Sequence, residues 1–148
     1  MKKIVASVLI DRPPEAIWKF ITNPSNDPRW DANTVESKLT STGPLGVGST
    51  VQFRRSTFPK IMNYRILEYE PNRKVTFEFT SGPIKGSILS MNLEVVEGKT
   101  RLTETDDYKF SGFYKLLMPF SGGEGKGKRE AEARVGNVKR ILESEAKS

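Results

Sequence analysis

The chain predicts an α+β fold in which a curved antiparallel sheet of about seven strands wraps around one long C-terminal helix, with two short helices after the first strand. Three observations carry this expectation. A strand-like run from Ile4 to Ile10 leads straight into a Pro13-Pro14 helix start, and from 33 to 110 apolar and polar residues alternate between turn signals. The residues after 110 then return to helical spacing. A long helix and a curled sheet cannot bury each other flat, so they enclose a space. The chain, 1–148, reads as one domain without internal repeats.

The β-branched content of 4–10 argues a strand. Proline is tolerated in a first helical turn, and Glu15 complements the positive end of the dipole, so a helix starts at Pro13-Pro14. Ile17, Trp18, Phe20 and Ile21 form its apolar face, Asn23-Pro24 ends it, and Asn26-Asp27-Pro28 opens a further short turn or helical turn. Strands are expected near 34–41, 49–56, 60–69, 74–80, 85–96 and 100–110. Their short links demand antiparallel pairing, because a parallel crossover needs a dozen or more residues. Val75, Phe77 and Phe79 alternate with Thr76, Glu78 and Thr80, as on a sheet with one buried and one wet face. Phe113, Leu116, Leu117 and Phe120, then Ala131, Val135, Val138 and Leu142, keep a helical stripe. Pro119 and the glycines at 122, 123, 125 and 127 predict that this helix is broken there or begins afterwards, leaving a gate to the cavity or a flexible loop.

With no Cys and no His, the sequence excludes disulfides, thiolate nucleophiles, the usual zinc sites and a Ser-His-Asp triad. No metal site or cofactor is expected. No apolar run approaches the roughly 20 residues of a membrane span, and the basic start leads into a Pro-Pro turn rather than a cleavage site, so the chain reads as cytoplasmic. The net charge of +6 admits an anionic partner, but the basic residues are spread along the chain and lack interleaved aromatics, which argues against nucleic acid. The stretch from Gly122 to Arg129 nearly spells a phosphate-binding loop, yet Arg129 stands where the magnesium-holding Ser or Thr belongs and no βαβ unit follows. It reads as a basic loop. Lys126, Lys128, Arg129, Arg134, Lys139 and Arg140 alternate with glutamates as on a solvated helix face.

Several motifs in order along the chain resemble one family: DRPPEAIWKF at 11–20 with Asn23-Pro24 and Pro28-Arg29-Trp30, GPLGVGS at 43–49, ILEYEPNRKV at 66–75 and GKTRLT at 98–103. The chain resembles the START-like (SRPBCC) superfamily of helix-grip folds, closest to its polyketide cyclase/dehydrase-like branch. The glycine-rich stretch departs from the continuous last helix usual there. The resemblance implies a deep apolar pocket between sheet and C-terminal helix that takes lipids, sterols, polyketides or other hydrophobic small molecules. It does not imply catalysis.

Apolar walls are expected from Phe53, Met62, Phe77, Phe79, Met91, Leu93, Leu116 and Leu117. Trp18 reads as core, whereas Trp30 either packs or closes the cavity end. Period two places Glu104 and Asp106 on one face with Leu102, Tyr108 and Phe110, and likewise turns Arg55 and Tyr64 inward. These five polar residues either orient a ligand's polar end or, where the edge of the sheet splays, turn their charges to water. The leading function is binding of a hydrophobic small molecule or lipid, as carrier, sensor or sequestering protein. One alternative is a cyclase/aromatase-type enzyme with Glu104 or Asp106 as base and Tyr64 or Arg55 polarising a carbonyl. The other is an interaction module docking an acidic partner through its basic surface.

Overall fold

The computed structural model describes residues 3–110, 112 and 123–146. In chain order the elements are β1 (Ile4–Ile10), α1 (Pro14–Ile21), a 3-10 turn (Pro24–Asn26), α2 (Asp27–Trp30), β2 (Thr34–Leu39), β3 (Thr50–Arg55), β4 (Ile61–Glu70), β5 (Lys74–Phe79), β6 (Ile88–Val96), β7 (Lys99–Asp107) and α3 (Gly123–Ala146). The seven strands form one sheet, ordered β1-β7-β6-β5-β4-β3-β2, with every neighbouring pair antiparallel. This is the α+β architecture that the alternation and turn spacing predict.

Local chemistry explains the turns that set the register. Val96 pairs with Lys99, so only Glu97 and Gly98 link β6 to β7, at φ 50 and 81. Two positive φ values are what a two-residue hairpin with the right twist requires. Helix α1 starts beside Pro13, whose carbonyl accepts from the Ala16 amide at 3.1 Å, and buries Ile17, Trp18, Phe20 and Ile21.

One half of the concave face is packed solid. Ile10, Ile66, Val75, Met91, Leu93 and Leu102 of the sheet meet Ile17 and Trp18 of α1 and Val135, Val138 and Leu142 of α3 in one cluster. Each such side chain contributes about 1.5–3 kcal/mol when fully removed from water. Across the other half, rows of paired residues run Ile4–Asp106–Leu89–Phe77, Tyr64–Phe79, Met62–Phe53 and Arg55–Thr34, and there α3 stays against the β1–β7 edge and leaves a space over the strands beyond it. The strand direction therefore divides core from cavity.

Helix α3 begins inside the glycine-rich stretch, at Gly123, rather than after a loop that runs through 127. A Cβ at Gly127 would lie 2.6 Å from Ile4 Cδ1, so this glycine lets the helix cross β1 closely. The other end of α3 is tied down by polar contacts: Lys139 donates to the Leu9 carbonyl at 2.7 Å, Arg12 to the Leu142 carbonyl at 2.8 Å, and Arg29 meets Glu145 at 2.6 Å. Among the described residues no helix is long and apolar enough to cross a membrane.

Candidate functional site: a cavity between sheet and helix

The space enclosed by β3–β7, α2 and the start of α3 measures about 280 Å³. Its aromatic wall is a chain of ring contacts, with Tyr64 4.8 Å from Phe77 and Phe53 5.9 Å from Tyr64 and 6.1 Å from Phe79. Such offset and tilted pairs are worth about 0.5–1.5 kcal/mol each beyond burial. Trp30 lines the cavity from α2, which is pinned to α3 by a hydrogen bond from Asn137 Nδ2 to the Trp30 carbonyl at 3.1 Å.

Two polar groupings interrupt this wall. The first is held by α3 and β7. Arg134 Nε donates to Glu104 Oε1 at 2.9 Å and its Nη2 to Glu104 Oε2 at 2.5 Å, while Nη2 also reaches Asp106 Oδ2 at 3.3 Å. Glu104 and Asp106 are 0% and 1% exposed, so both carboxyl groups are withdrawn from bulk solvent. A buried carboxylate is tolerated only when paired, and Arg is the residue whose planar fork pairs it with two parallel bonds. One guanidinium cannot neutralise two carboxylates. Burial first, then the neighbouring charge of Glu104 and a hydrogen bond with it, push the Asp106 carboxyl up to about 9, against the pull of Arg134. This favours the protonated form of Asp106, whose Oδ1 is buried without a partner among the described residues. Burial likewise raises the Tyr108 phenol.

The second grouping is on α2 and its exit. Asp27 and Asp31, one helical turn apart, line the cavity with Asn33 and Thr34. Burial lifts Asp27 to about 7, with the Ser37 hydroxyl drawing it down and the charge of Asp31 pushing it further up. Burial also raises the Tyr64 phenol, as does the charge of Asp27. Asp27 thus holds its proton more readily than an ordinary carboxyl, on the wall of the cavity.

Of the residues singled out in the sequence, Trp30, Phe53, Arg55, Met62, Tyr64, Phe77, Phe79 and Tyr108 come together on the cavity wall. Met91 and Leu93 lie deeper along β6, buried in the solid half of the core. Leu116 and Leu117, with the rest of the stripe at 113–120, lie outside the described residues. Glu104 and Asp106 turn inward rather than splaying to water, but they sit behind Arg134, which forms the wall in front of them. Arg134, expected on a solvated helix face, is buried. Its spacing of three from Ala131 and four from Val138 already placed it on the apolar stripe. Asp27 and Asp31 carry no comparable signal, since nothing in an Asn-Asp-Pro turn marks its carboxylate as buried.

Comparison with known proteins agrees with this fold. A family model described as polyketide cyclase / dehydrase and lipid transport matches residues 1–143. A search of curated proteins finds no match. Among solved structures, a protein from Thermus thermophilus superposes with a TM-score of 0.75 at 14% identity, covering 97% of this chain and 99% of that one. The Aha1 dimer from Colwellia psychrerythraea gives 0.68 at 20% identity, with 96% of each chain covered. The di-domain ARO/CYC BexL from the BE-7585A biosynthetic pathway gives 0.69 at 15% identity, covering 97% of this chain and 47% of that one. At such identities these structures share the fold.

Proposed function

Because the chain belongs to the polyketide cyclase/dehydrase and lipid transport family, we propose that it binds a hydrophobic small molecule between the sheet and α3, as a carrier, sensor or sequestering protein. The observation that carries this reading is the cavity itself: about 280 Å³ of space with an aromatic wall, interrupted by polar side chains on α2 and its exit and on α3. Ligand pockets have this composition, because apolar surface supplies affinity and a few fixed polar atoms supply orientation. The volume lies near the lower end of the usual range of about 300–1,000 Å³, so the ligand is a compact molecule rather than a long acyl chain.

Trp30 lines the cavity and Trp18 packs in the core, which provides the test. Titration with 2-ethylnaphthalene, a compact aromatic probe, changes the fluorescence of wild type and of Trp18→Phe but not of Trp30→Phe. An unchanged spectrum in all three proteins refutes a ligand in this cavity.

A cyclase-type enzyme is the second reading, and Asp27 favours it. A carboxyl near neutrality on a cavity wall, beside Tyr64, is suited to passing a proton to or from a bound carbonyl compound. Glu104 is committed to Arg134 and is walled off from the space, so the proton-transfer role moves from the β7 carboxylates to Asp27. Under this reading Asp27→Asn abolishes turnover of a poly-β-ketone substrate while leaving its binding intact; equal turnover by the variant rules it out.

A further inference from the structure

The fold gathers at one end of the molecule basic residues that are scattered in the sequence. The turn joining β3 to β4, the turn joining β5 to β6, the exit of β7 and the first turns of α3 all lie at the cavity end, since Arg55, Pro59, Ile84, Phe110 and Lys126 line the space. Around them Lys60, Lys85, Lys109, Lys126 and Lys128 are exposed. The acids described at this end, Asp27, Asp31, Asp107 and Glu130, are half-buried, and among the described residues Lys126 alone of these lysines has an acidic partner, Glu130 at 4.0 Å. At the tip of the first turn stands Phe58, 69% exposed, followed by Ile61, 54% exposed. The turn is held in shape by its own polar contacts, Arg55 Nη1 to the Phe58 carbonyl at 3.3 Å and Lys60 Nζ to the Ser56 carbonyl at 2.8 Å. An aromatic side chain is thus presented on a fixed loop next to Pro59, which forms part of the cavity wall.

We infer that this rim docks on an anionic lipid bilayer, with Phe58 entering the headgroup–acyl boundary and the ring of lysines lying over acidic headgroups, so that the cavity exchanges its hydrophobic ligand with the membrane. The inference rests on the ligand-binding reading above. Positive charge around an apolar tip is the pairing that interfacial binding needs, because each Lys near the surface adds electrostatic attraction and the ring adds buried apolar area. Single-stranded nucleic acid would satisfy the lysines and stack a base on Phe58, but it would leave Ile61 in water, whereas a bilayer takes up both.

The test is co-sedimentation of the whole chain with vesicles of phosphatidylcholine alone and of phosphatidylcholine with about one-third phosphatidylglycerol. Wild type partitions onto the anionic vesicles and is released by salt. Phe58→Ser lowers that partitioning about tenfold, and the pair Lys60→Glu/Lys85→Glu removes the preference for anionic lipid. The inference is overturned if wild type binds neutral and anionic vesicles alike or neither, if both variants behave as wild type, or if a labelled oligonucleotide displaces it from anionic vesicles. The naphthalene titration run on the same variants separates the two readings. Vesicle binding without any entry of the probe ends the ligand reading alone, and probe entry without vesicle binding ends the docking inference alone.

Discussion

Replacing Asp106 with Asn is expected to stabilise the protein near neutrality, although it alters a buried contact of Arg134. In the folded chain the carboxyl is raised from 3.8 to about 9, by burial first and then by Glu104. Its folded value lies above the unfolded one, so folding takes up a proton everywhere between those two pH values. The native state binds more protons than the unfolded chain there, and stability falls as pH rises through that window. Each unit above the ordinary value costs about 1.4 kcal/mol, so about three units at pH 7 amount to about 4 kcal/mol. Asn resembles the protonated acid and escapes this cost. It keeps an oxygen for Arg134 Nη2, now 3.3 Å from Asp106 Oδ2, but it adds an N–H to a buried position where Oδ1 has no partner among the described residues. Leaving such a donor unmatched costs about 1–3 kcal/mol, so the net gain at pH 7 is about 2 kcal/mol. For a chain of this size that corresponds to a rise in Tm of about 4–8 °C. The assay is urea unfolding of both proteins at several pH values from acid to mildly alkaline. The advantage of the variant shrinks as pH falls toward the unfolded value. A variant destabilised by about 3 kcal/mol or more at neutral pH would show that Asp106 is an ionised partner of Arg134, and the account of the cluster would be wrong.

The rest of the network makes a complementary prediction: Arg134→Met alone costs about 3–5 kcal/mol by stranding Glu104, and adding Glu104→Gln recovers most of it, as read from a denaturant double-mutant cycle. For Asp27, raised to about 7, an uncharged apolar ligand prefers the protonated form, so its affinity falls as pH rises through that value. Asp27→Asn flattens that profile, and calorimetric titrations about one unit below and about one unit above the Asp27 value check it. Truncating Leu102 to Ala, at the centre of the solid half, costs about 2–5 kcal/mol in urea unfolding without changing affinity for the naphthalene probe.

The strands were legible because alternation is a local property. Phe77 and Phe79 show their inward face within one segment, and the Glu97-Gly98 link announces its own hairpin. Depth along the strand is not local, which is why Met91 and Leu93 look equivalent to Phe77 and Phe79 in the sequence but lie in the core instead of the cavity wall. Glycine carries a similar ambiguity. At Gly127 the missing side chain reads as a helix breaker until Ile4 is seen 2.6 Å from where a Cβ would stand. Charge is the hardest to place. Arg134 sits among charged helix neighbours, and only its register with Ala131 and Val138 marks it as inward, while the lysines of the rim come from four separate segments and meet only through the sheet order.

The most direct test of the central claim is native mass spectrometry of the purified protein followed by organic extraction. A ligand in the cavity predicts a bound mass of a compact hydrophobic compound that is lost on extraction and excluded by a bulkier wall, for instance in Leu89→Trp. A protein that carries no such mass, and takes up no compact apolar compound when offered one, contradicts it.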